Sequence, residues 1–470
     1  MLQSPGVEIP FTNGYYRSGR SLQFSAQRCV NYYPSIAKRP ALSPSNAYMT
    51  PGIREVVSDT AGVSRGRAKF DGKAFFVNGN KLYRVDQNIA PDLTETYNAV
   101  ELGDIGGSGR VIMVPGQLQL VIIVPDQVAY SWDGSTLTAL DGLPNFRSPV
   151  RDVIHINSLF VFLHSDSNII FHSNINDANT YNALDFTTVF QITEGVGLLD
   201  YRNQLFVMSD NLTIPYNYIG GSEFAFIAQA SAEIPIGLRS VFAKTDIRQS
   251  YIFLGGGNNE EPGVWIFPQL VKISDETIDY EIQNLTDFDI STAFIEKHAQ
   301  NDSEAVALVA GDNCFVYDLK TDAWHERRSI DDEIDHRWRV NTILQCYNRI
   351  LVGDFLSNSI GILDDQEFAE YGNQLRRIIT LQPIDQKGKS VKVKSVLVYM
   401  DAGFDGHLTM DYSLDGGYNW EVSQTLSAGD IGEYGRVLEF GPISSADAFL
   451  VLRFITDTTA KCNINKVLIK

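Results

Sequence analysis

The chain has 470 residues, of which 44% are hydrophobic, 20% charged and 11% aromatic, an ordinary globular composition that excludes wholesale disorder. No apolar run approaches the roughly 18 residues of a transmembrane helix, and the N-terminal stretch lacks the basic start and apolar run of a secretory signal. With 38 basic against 57 acidic residues, the net charge is −19. Such a surface repels phosphates, which argues against a sequence-specific DNA reader.

The N-terminal region, from residue 1 to about residue 60, is rich in proline, tyrosine and serine and shows little strand alternation. Segments such as NYYPSIAKRPALSPSN cannot continue a sheet across each proline. We predict an extended, ordered arm over residues 1–60. Its tyrosines, Tyr15, Tyr16, Tyr32 and Tyr33, are expected to pack on the rest of the same chain or on a neighbouring subunit.

A hairpin unit recurs through the middle of the chain: an apolar strand, a tight polar turn and a second strand. The first unit starts at residue 75 and the seventh at residue 351, which gives six intervals with a mean of 46 residues. A four-stranded propeller blade takes about 40–50 residues. The seven units begin at Phe75, Leu120, Leu159, Leu205, Tyr251, Ala305 and Leu351.

The turns and the strands of these units both favour stacked blades. Asn78-Gly79 is a strong two-residue hairpin signal, because both central residues of that turn must accept positive φ. The run Leu120–Val124 is apolar on both faces, as an inner strand of a blade should be. We therefore predict an all-β chain with a β-propeller over residues 61–372, of six to eight blades with seven favoured.

The repeat length is lost after about residue 373, where alternating strands follow one another up to Lys470. This pattern predicts a small C-terminal β-sandwich of jelly-roll type over residues 373–470, with the last strand tied into its sheet. Ser413–Trp420 is similar to the Asp-box hairpin of sialidases, which marks a tight turn and not an active site.

Chemical motifs are weak throughout. Gly388-Lys389-Ser390 is typical of the end of a P-loop, but Pro383 stands where that loop needs a glycine. His164 and His172 flank a hairpin turn, yet a zinc site needs further ligands, so ordinary strand histidines are favoured. The acidic run Ser329–Arg339 is interpreted as a surface or interface loop rather than a glycosidase pair. We therefore predict no catalytic, cofactor-binding or metal-binding residue, and no enzyme.

The four cysteines are widely separated and form no C-x-x-C pair. A disulfide framework is not expected in a chain this long and poor in cysteine. We predict four buried thiols that act as small apolar residues, in a protein folded in a reducing cytosol. They are Cys29, Cys314, Cys346 and Cys462.

Several short, glycine-rich stretches between about residues 50 and 140 carry a resemblance to a known family. The stretches are PGI at Pro51–Ile53, GVSRG at Gly62–Gly66, KLYRVD at Lys81–Asp86, GDIGGSGRV at Gly103–Val111 and YSWDGS at Tyr130–Ser135. In this order and spacing they resemble the packaged-DNA stabilisation proteins, also called tail hub or head-closure proteins, of short-tailed double-stranded-DNA bacteriophages of the Salmonella-phage type.

The resemblance implies a structural protein of the virion tail, assembled in the cytoplasm of the host bacterium. It implies a homo-hexameric ring below the portal and its adaptor, which closes the head after packaging and continues the DNA channel without sequence-specific binding. It also implies contacts with a tail needle or plug and with a tailspike or fibre protein, with no cofactor and no membrane insertion. The acidic balance suits a channel that must release DNA.

Three arginines in the matched stretches, Arg65, Arg67 and Arg110, lie beside glycines. We predict that they grip carboxylates at a subunit or adaptor interface, since the guanidinium fork fits a carboxylate. The alternative is that they cap local turns or pair with Asp71 or Asp104. Alternatives for the whole chain are a carbohydrate-active β-propeller, either glycan-binding or a sialidase-like hydrolase, and a propeller scaffold from another system.

Overall fold

The computed structural model describes residues 6–9, 21–22, 25–221, 223–300, 303–385, 389–446 and 449–470. The chain divides into two compact units. Unit 1 comprises Met1–Arg54, Ala299–Arg339 and Leu363–Lys470, and unit 2 comprises Glu55–His298 and Val340–Ile362. Tyr15, Tyr16 and Gly388 lie outside the described residues. Within the described ranges, no helix is both long and apolar enough to cross a membrane.

The described part of unit 2 contains six sheets, which we label A to F in chain order. Sheet A consists of Ser64–Phe70, Lys73–Asn78, Lys81–Ile89 and Glu95–Asp104. Sheet B consists of Ile112–Pro115, Leu120–Val124, Val128–Trp132 and Leu137–Ala139. Sheet C consists of Val150–Ile156, Leu159–His164, Ile169–His172 and Phe186–Thr188.

The remaining sheets of unit 2 follow the same plan. Sheet D consists of Gly197–Tyr201, Gln204–Met208, Thr213–Tyr218 and Phe226–Ala228. Sheet E consists of Gly237–Leu238, Lys244–Ile247, Ser250–Gly256, Gly263–Phe267 and Val271–Lys272. Sheet F contains Val340–Cys346, Arg349–Asp354, Ile360–Asp364 and Gly52–Val57 as neighbouring strands. The last two residues of Ile360–Asp364 and the first three of Gly52–Val57 belong to unit 1.

The seven predicted hairpins are confirmed. In sheets A to D each hairpin supplies the second and third strands, which are neighbours in antiparallel register. The hairpin that begins at Tyr251 lies in sheet E, and the one that begins at Leu351 lies in sheet F. The hairpin that begins at Ala305 lies in unit 1.

The strand Leu120–Val124 shows how the sheets stack. All five side chains are fully buried, and they alternate between two cores, because successive residues of a strand point to opposite faces. Leu120, Ile122 and Val124 share a core with residues of sheet A. Val121 and Ile123 share a core with residues of sheet C. This is the burial on both faces that the sequence predicts.

Similar cores join the other sheets of unit 2. One core joins sheets C and D, another joins D and E, and a third joins F and A. The sheets therefore stack in the order F, A, B, C, D, E. A four-stranded sheet with two apolar faces is stable in this setting because each neighbour covers one face.

Short helices interrupt the strands after sheet E. The helix Glu276–Gln283 begins at Asp275, whose carboxylate accepts hydrogen bonds from two backbone N–H groups of the first turn. The helix Asp287–Ser291 begins with a capping box formed by Thr286 and Asp289. A 3-10 turn covers Ala230–Ala232, and the strand Phe294–Gln300 runs from unit 2 into unit 1.

Unit 1 contains two larger sheets. One has nine neighbouring strands, in the order Phe294–Gln300, Ser303–Ala310, Asn313–Asp318, Ala323–Glu326, Arg28–Val30, Arg377–Thr380, Val451–Thr456, His407–Ser413 and Glu421–Ser427. The other has the order Tyr32–Ile36, Ser45–Met49, Ile464–Ile469, Val396–Met400 and Leu438–Phe440, with Val7–Ile9 paired to Ile464–Ile469. Short pairs are Arg328–Asp331 with Ile334–Arg337, Ala369–Glu370 with Asn373–Gln374, and Val391–Val393 with Ile443–Ala446. The strand Gly52–Val57 runs from unit 1 into unit 2.

One apolar core of unit 1 contains residues from both larger sheets, including Tyr32, Leu408, Phe454 and Val467. The last strand is tied into its sheet by Val396–Met400, as predicted. Strands of the N-terminal 60 residues take part in both sheets. The division into an arm, a propeller and a C-terminal sandwich at residues 60 and 372 stays a prediction.

Two local interpretations have clear outcomes. The interpretation of Ser329–Arg339 as a surface or interface loop is wrong for the base of the segment, which is a hairpin with Ser329, Trp338 and Arg339 buried, while its tip is exposed. The reason is that Ser329 and Trp338 donate hydrogen bonds to buried Glu370. The four cysteines are free and buried, as predicted.

Candidate functional site

A cavity of about 240 Å³ lies in unit 2 where the first strands of several sheets converge. It is lined by charged residues from strands that are far apart in the sequence. Successive side chains of a strand point to opposite faces, so charged residues from separate strands can meet at the cavity while their neighbours point away from it. The charged residues that line it are Arg67, Arg110, Asp152, Lys244 and Glu296.

Glu296 bridges two of the predicted arginines. Its Oε2 accepts a hydrogen bond from Nη2 of Arg67 at 2.8 Å, and its Oε1 accepts one from Nη2 of Arg110 at 2.9 Å. The side chain of Glu296 is only 6% exposed, against 33% for Arg67 and 16% for Arg110. Charge-assisted hydrogen bonds of this kind are about twice as strong as neutral ones. The carboxylate therefore ties together strands from three parts of the chain.

The remaining donors of these two arginines are also used within unit 2. Nε of Arg67 donates to the carbonyl of Ile343 at 2.6 Å. Nη1 of Arg110 donates to the carbonyl of Asn341 at 2.6 Å, and its guanidinium lies 3.6 Å from the centre of the Phe294 ring. These contacts fix sheet F against sheets A and B by backbone acceptors as well as by charge.

A second ion pair lies at the same cavity. The carboxylate of Asp152, which is buried, accepts hydrogen bonds from Lys244 Nζ and from the backbone N–H groups of Leu198 and Val153. Lys244 also donates to the carbonyl of Leu198 at 2.6 Å. Burial raises the pKa of Asp152, while Lys244 and the N–H donors act in the opposite direction. Sheets C, D and E meet at this pair.

The third predicted arginine behaves differently. Nε of Arg65 donates to the carbonyl of Gly109 at 2.6 Å, and its Nη1 donates to the carbonyl of Gly79 at 2.8 Å. Burial lowers the pKa of Arg65. This is local capping of two glycine turns, one of the alternatives that the sequence left open. Asp104, the other alternative partner, binds Lys81 instead.

The histidine pair and the Asp-box segment are the remaining candidate motifs of the sequence. His164 and His172 do not face each other, because His172 pairs with Val161 and His164 pairs with Val150. Across the described ranges, no group of three or more histidine, cysteine or acidic residues is placed to hold a metal ion. The Asp415 carboxylate accepts hydrogen bonds from Ser413, Tyr418 and Asn419, so the segment is a turn, as predicted.

The charged side chains around the cavity hold strands together, because they pair with one another inside unit 2. Sequence reasoning found Arg67 and Arg110 but missed Glu296, Asp152 and Lys244. A signal for two of them was present: Asp152 and Glu296 are acids inside the strand sequences VRDVIHI and FIEKHAQ. A buried acid in such a strand needs a cation, but the sequence does not say which one.

Comparisons with known proteins agree on one family. A family model described as "Bacteriophage P22 Gp10, beta-propeller" matches residues 7–367. The tail hub protein gp10 of Salmonella phage P22 is 24% identical over 339 residues, which make up 67% of this chain and 67% of that protein.

Solved structures with some similarity include the WD40 β-propeller domain of Doa1, at 10% identity and a TM-score of 0.39, over 67% of this chain and 97% of that one. Another is the extracellular domain of a putative hybrid two component system from B. thetaiotaomicron, at 10% identity and a TM-score of 0.43, over 84% of this chain and 57% of that one.

Proposed function

This chain belongs to the bacteriophage P22 Gp10 β-propeller family and is a structural tail hub protein of a phage, and from that premise we propose that it closes the phage head after DNA packaging. The observation that carries the proposal is the family match over residues 7–367. In the assembled tail the chain forms a homo-hexameric ring that meets the portal adaptor, holds the tail needle or plug and anchors a tailspike or fibre. The chain assembles in the host cytoplasm and has no enzymatic activity.

The cavity of unit 2 supports a particular path for the DNA. The cavity has a volume of about 240 Å³ and is lined by Arg67, Glu296 and Arg110. A DNA duplex is wider than its major groove, which is about 12 Å wide, so this cavity does not hold a duplex. We therefore place the DNA channel between copies of the chain and not along the cavity of unit 2. The net charge of −19 favours release of DNA from that channel.

The organisation of the chain is part of the same proposal. Seven hairpins with a mean spacing of 46 residues support a propeller of seven blades over residues 61–372. An arm at residues 1–60 and a C-terminal sandwich at residues 373–470 complete it. A stack of sheets buried on both faces is stiff, which suits a component that must hold pressurised DNA.

We also propose an interface role for Arg65, Arg67 and Arg110, although these side chains already make hydrogen bonds within unit 2. Donors of all three side chains bond within unit 2, so charge reversal at Arg65 or Arg110 is expected to lower folding stability as well as assembly. Arg67, at 33% exposed, retains the most surface for a partner carboxylate. Arg67→Glu would place a second carboxylate against Glu296 and is expected to lower folding stability as well, so a test of assembly at Arg67 must first show by its unfolding curve that the variant is folded.

The test of the proposed function is reconstitution. The purified chain is mixed with the portal adaptor protein of the same phage, and the mixture is analysed by native mass spectrometry and electron microscopy. A ring of six copies bound to the adaptor is the expected result. A monomer that does not bind the adaptor but cleaves or binds glycans would refute the tail hub role and favour the carbohydrate-active alternative.

A further inference from the structure

Two arginines of unit 1 have no exposed surface. Arg327 follows the strand Ala323–Glu326, and Arg377 begins the strand Arg377–Thr380. Both strands pair with the strand Arg28–Val30, one on each side of it, so the two arginines flank the same strand end. Each is 0% exposed, and both are among the largest fully buried side chains of the chain. Arginine is almost never buried completely unless it is paired.

Part of each guanidinium is satisfied by protein oxygen atoms. Nη2 of Arg327 donates to the carbonyl of Pro51 at 2.9 Å and to Oε1 of Glu370 at 3.3 Å, and the guanidinium lies 4.0 Å from the Trp338 ring centre. Arg377 donates to backbone carbonyls, of which that of Phe368 is the nearest at 2.9 Å. Nε and Nη1 of Arg327 and Nε of Arg377 have no acceptor among the described residues.

The charges at this place do not balance. Glu370 is the carboxylate that contacts Arg327, and its field acts on both guanidinium groups. Its oxygens also accept hydrogen bonds from Trp338 Nε1 and from the Ser329 hydroxyl. The nearby Glu326 is committed to Arg28 in a two-pronged pair. Two buried cations thus share one carboxylate, which leaves one positive charge in excess.

A buried, uncompensated charge is strongly destabilising. Burial accordingly lowers the pKa of both arginines, that of Arg377 to about 10. An arginine side chain nevertheless stays charged in proteins. The fold therefore needs a further group beside them, either water or an anion.

The chemistry of the unsatisfied atoms favours an anion. All three are N–H donors that belong to cations, and the excess charge is positive. A water molecule would satisfy donors but would bring two hydrogens that need acceptors, and it would leave the charge uncompensated. A small anion accepts from every direction and neutralises the excess. Full burial next to Trp338 and Phe368 restricts it to a monatomic or similarly small ion.

We propose that unit 1 binds a small monovalent anion, such as chloride, against the buried guanidinium groups of Arg327 and Arg377. The ion is a structural part of unit 1 and compensates the charge that Glu370 leaves over.

Bromide identifies such a site directly. The full-length chain is crystallised from sodium bromide, and anomalous differences are measured at the bromine absorption edge. We expect an anomalous peak within hydrogen-bond distance of Nε or Nη1 of Arg327. A water molecule, or no density, at that position without anomalous signal overturns the proposal.

Thermal unfolding tests the same site in solution. Chloride is exchanged for gluconate, which is too large for a closed site, at constant ionic strength. We expect the melting temperature to be about 3–6 °C higher when chloride is in tenfold excess over its dissociation constant. An identical melting temperature in both salts overturns the proposal.

A pair of variants separates the site from general salt effects. Arg327→Gln is expected to abolish the difference between chloride and gluconate. Arg453→Gln is the matched control, because Arg453 lies in the same unit, pairs with Asp411 and stacks on Trp420. It should lose stability but keep the full difference. Equal salt dependence in both variants would contradict the assignment, and if Arg327→Gln does not fold, the bromide crystal of the native chain decides.

Discussion

The Glu296 bridge allows a quantitative test of how unit 2 is held together. In Glu296→Gln the side chain keeps its size but loses the charge that pairs with Arg67 and Arg110. Removing one partner of a buried ion pair typically costs about 3–5 kcal/mol, because the other charge stays buried. Arg110 is mostly buried and takes the full effect, whereas the partial exposure of Arg67 allows water to replace part of its bond. We expect a loss of about 2–4 kcal/mol in the free energy of unfolding.

Urea denaturation followed by tryptophan fluorescence measures this loss. With a slope of about 2 kcal/mol per molar urea, the unfolding midpoint of unit 2 should fall by about 1–2 M. Hydrogen exchange in the strands Ser64–Phe70 and Ile112–Pro115 should also become faster. Arg67 lies within the first strand, and Arg110 lies two residues before the second.

Glu101→Gln is the control for this experiment. Glu101 pairs with Lys81 at 2.7 Å but is 51% exposed, so its loss should cost less than about 1 kcal/mol. If Glu296→Gln costs no more than Glu101→Gln, the bridge does not hold the sheets and the argument from burial is wrong.

Four further substitutions probe the fold. Ile122→Ala opens a cavity in the core between sheets A and B, and Ile123→Ala opens one in the core between sheets B and C. In urea titrations each should lower the free energy of unfolding by about 2–5 kcal/mol. A loss below about 1 kcal/mol in either variant would contradict burial on both faces. Gly79→Ala places a Cβ 2.6 Å from the carbonyl oxygen of Ala61 at a φ of 56°, so a loss of at least about 2 kcal/mol is expected, and an unchanged melting temperature would refute the strain. Hydrogen bonds lower the pKa of Asp415 to about 2, and the bond from the Asn419 backbone N–H makes the largest contribution. The ionised carboxylate therefore stabilises the turn fully above its unfolded pKa of about 3.9, and this contribution is lost as the pH falls through about 2. The difference in melting temperature between Asp415→Ala and the native chain should shrink over that window, and a difference that grows toward low pH would contradict it.

The hairpins could be predicted because their signals are local. Gly79 marks a tight turn as expected, but the prediction of Asn78-Gly79 as its two central residues is wrong by one position, because Asn78 pairs with Lys81 in the sheet and the loop is Gly79-Asn80. Of these residues Gly79 alone has a positive φ, of 56°. A run such as Leu120–Val124 can be stable only between two apolar surfaces. The period of 46 residues then follows from counting. Stacking of sheets needs no information beyond the fact that both faces are apolar.

Side-chain partners could not be predicted because they depend on distant strands. Glu296 is 229 residues from Arg67 and 186 from Arg110, and no local pattern indicates that the three meet. The prediction for Ser329–Arg339 failed for the same reason, since the acceptor that buries its base is Glu370. A charged residue shows that it needs a partner, but only the assembled sheets show which partner it has.

The most direct test of the account is an electron cryomicroscopy map of the intact phage particle. The account predicts that this chain forms the ring at the tail hub, with the DNA path between its copies and the Arg67–Glu296–Arg110 bridge intact inside each one. DNA density threading the cavity of unit 2, or a particle from which the chain is missing, would contradict it.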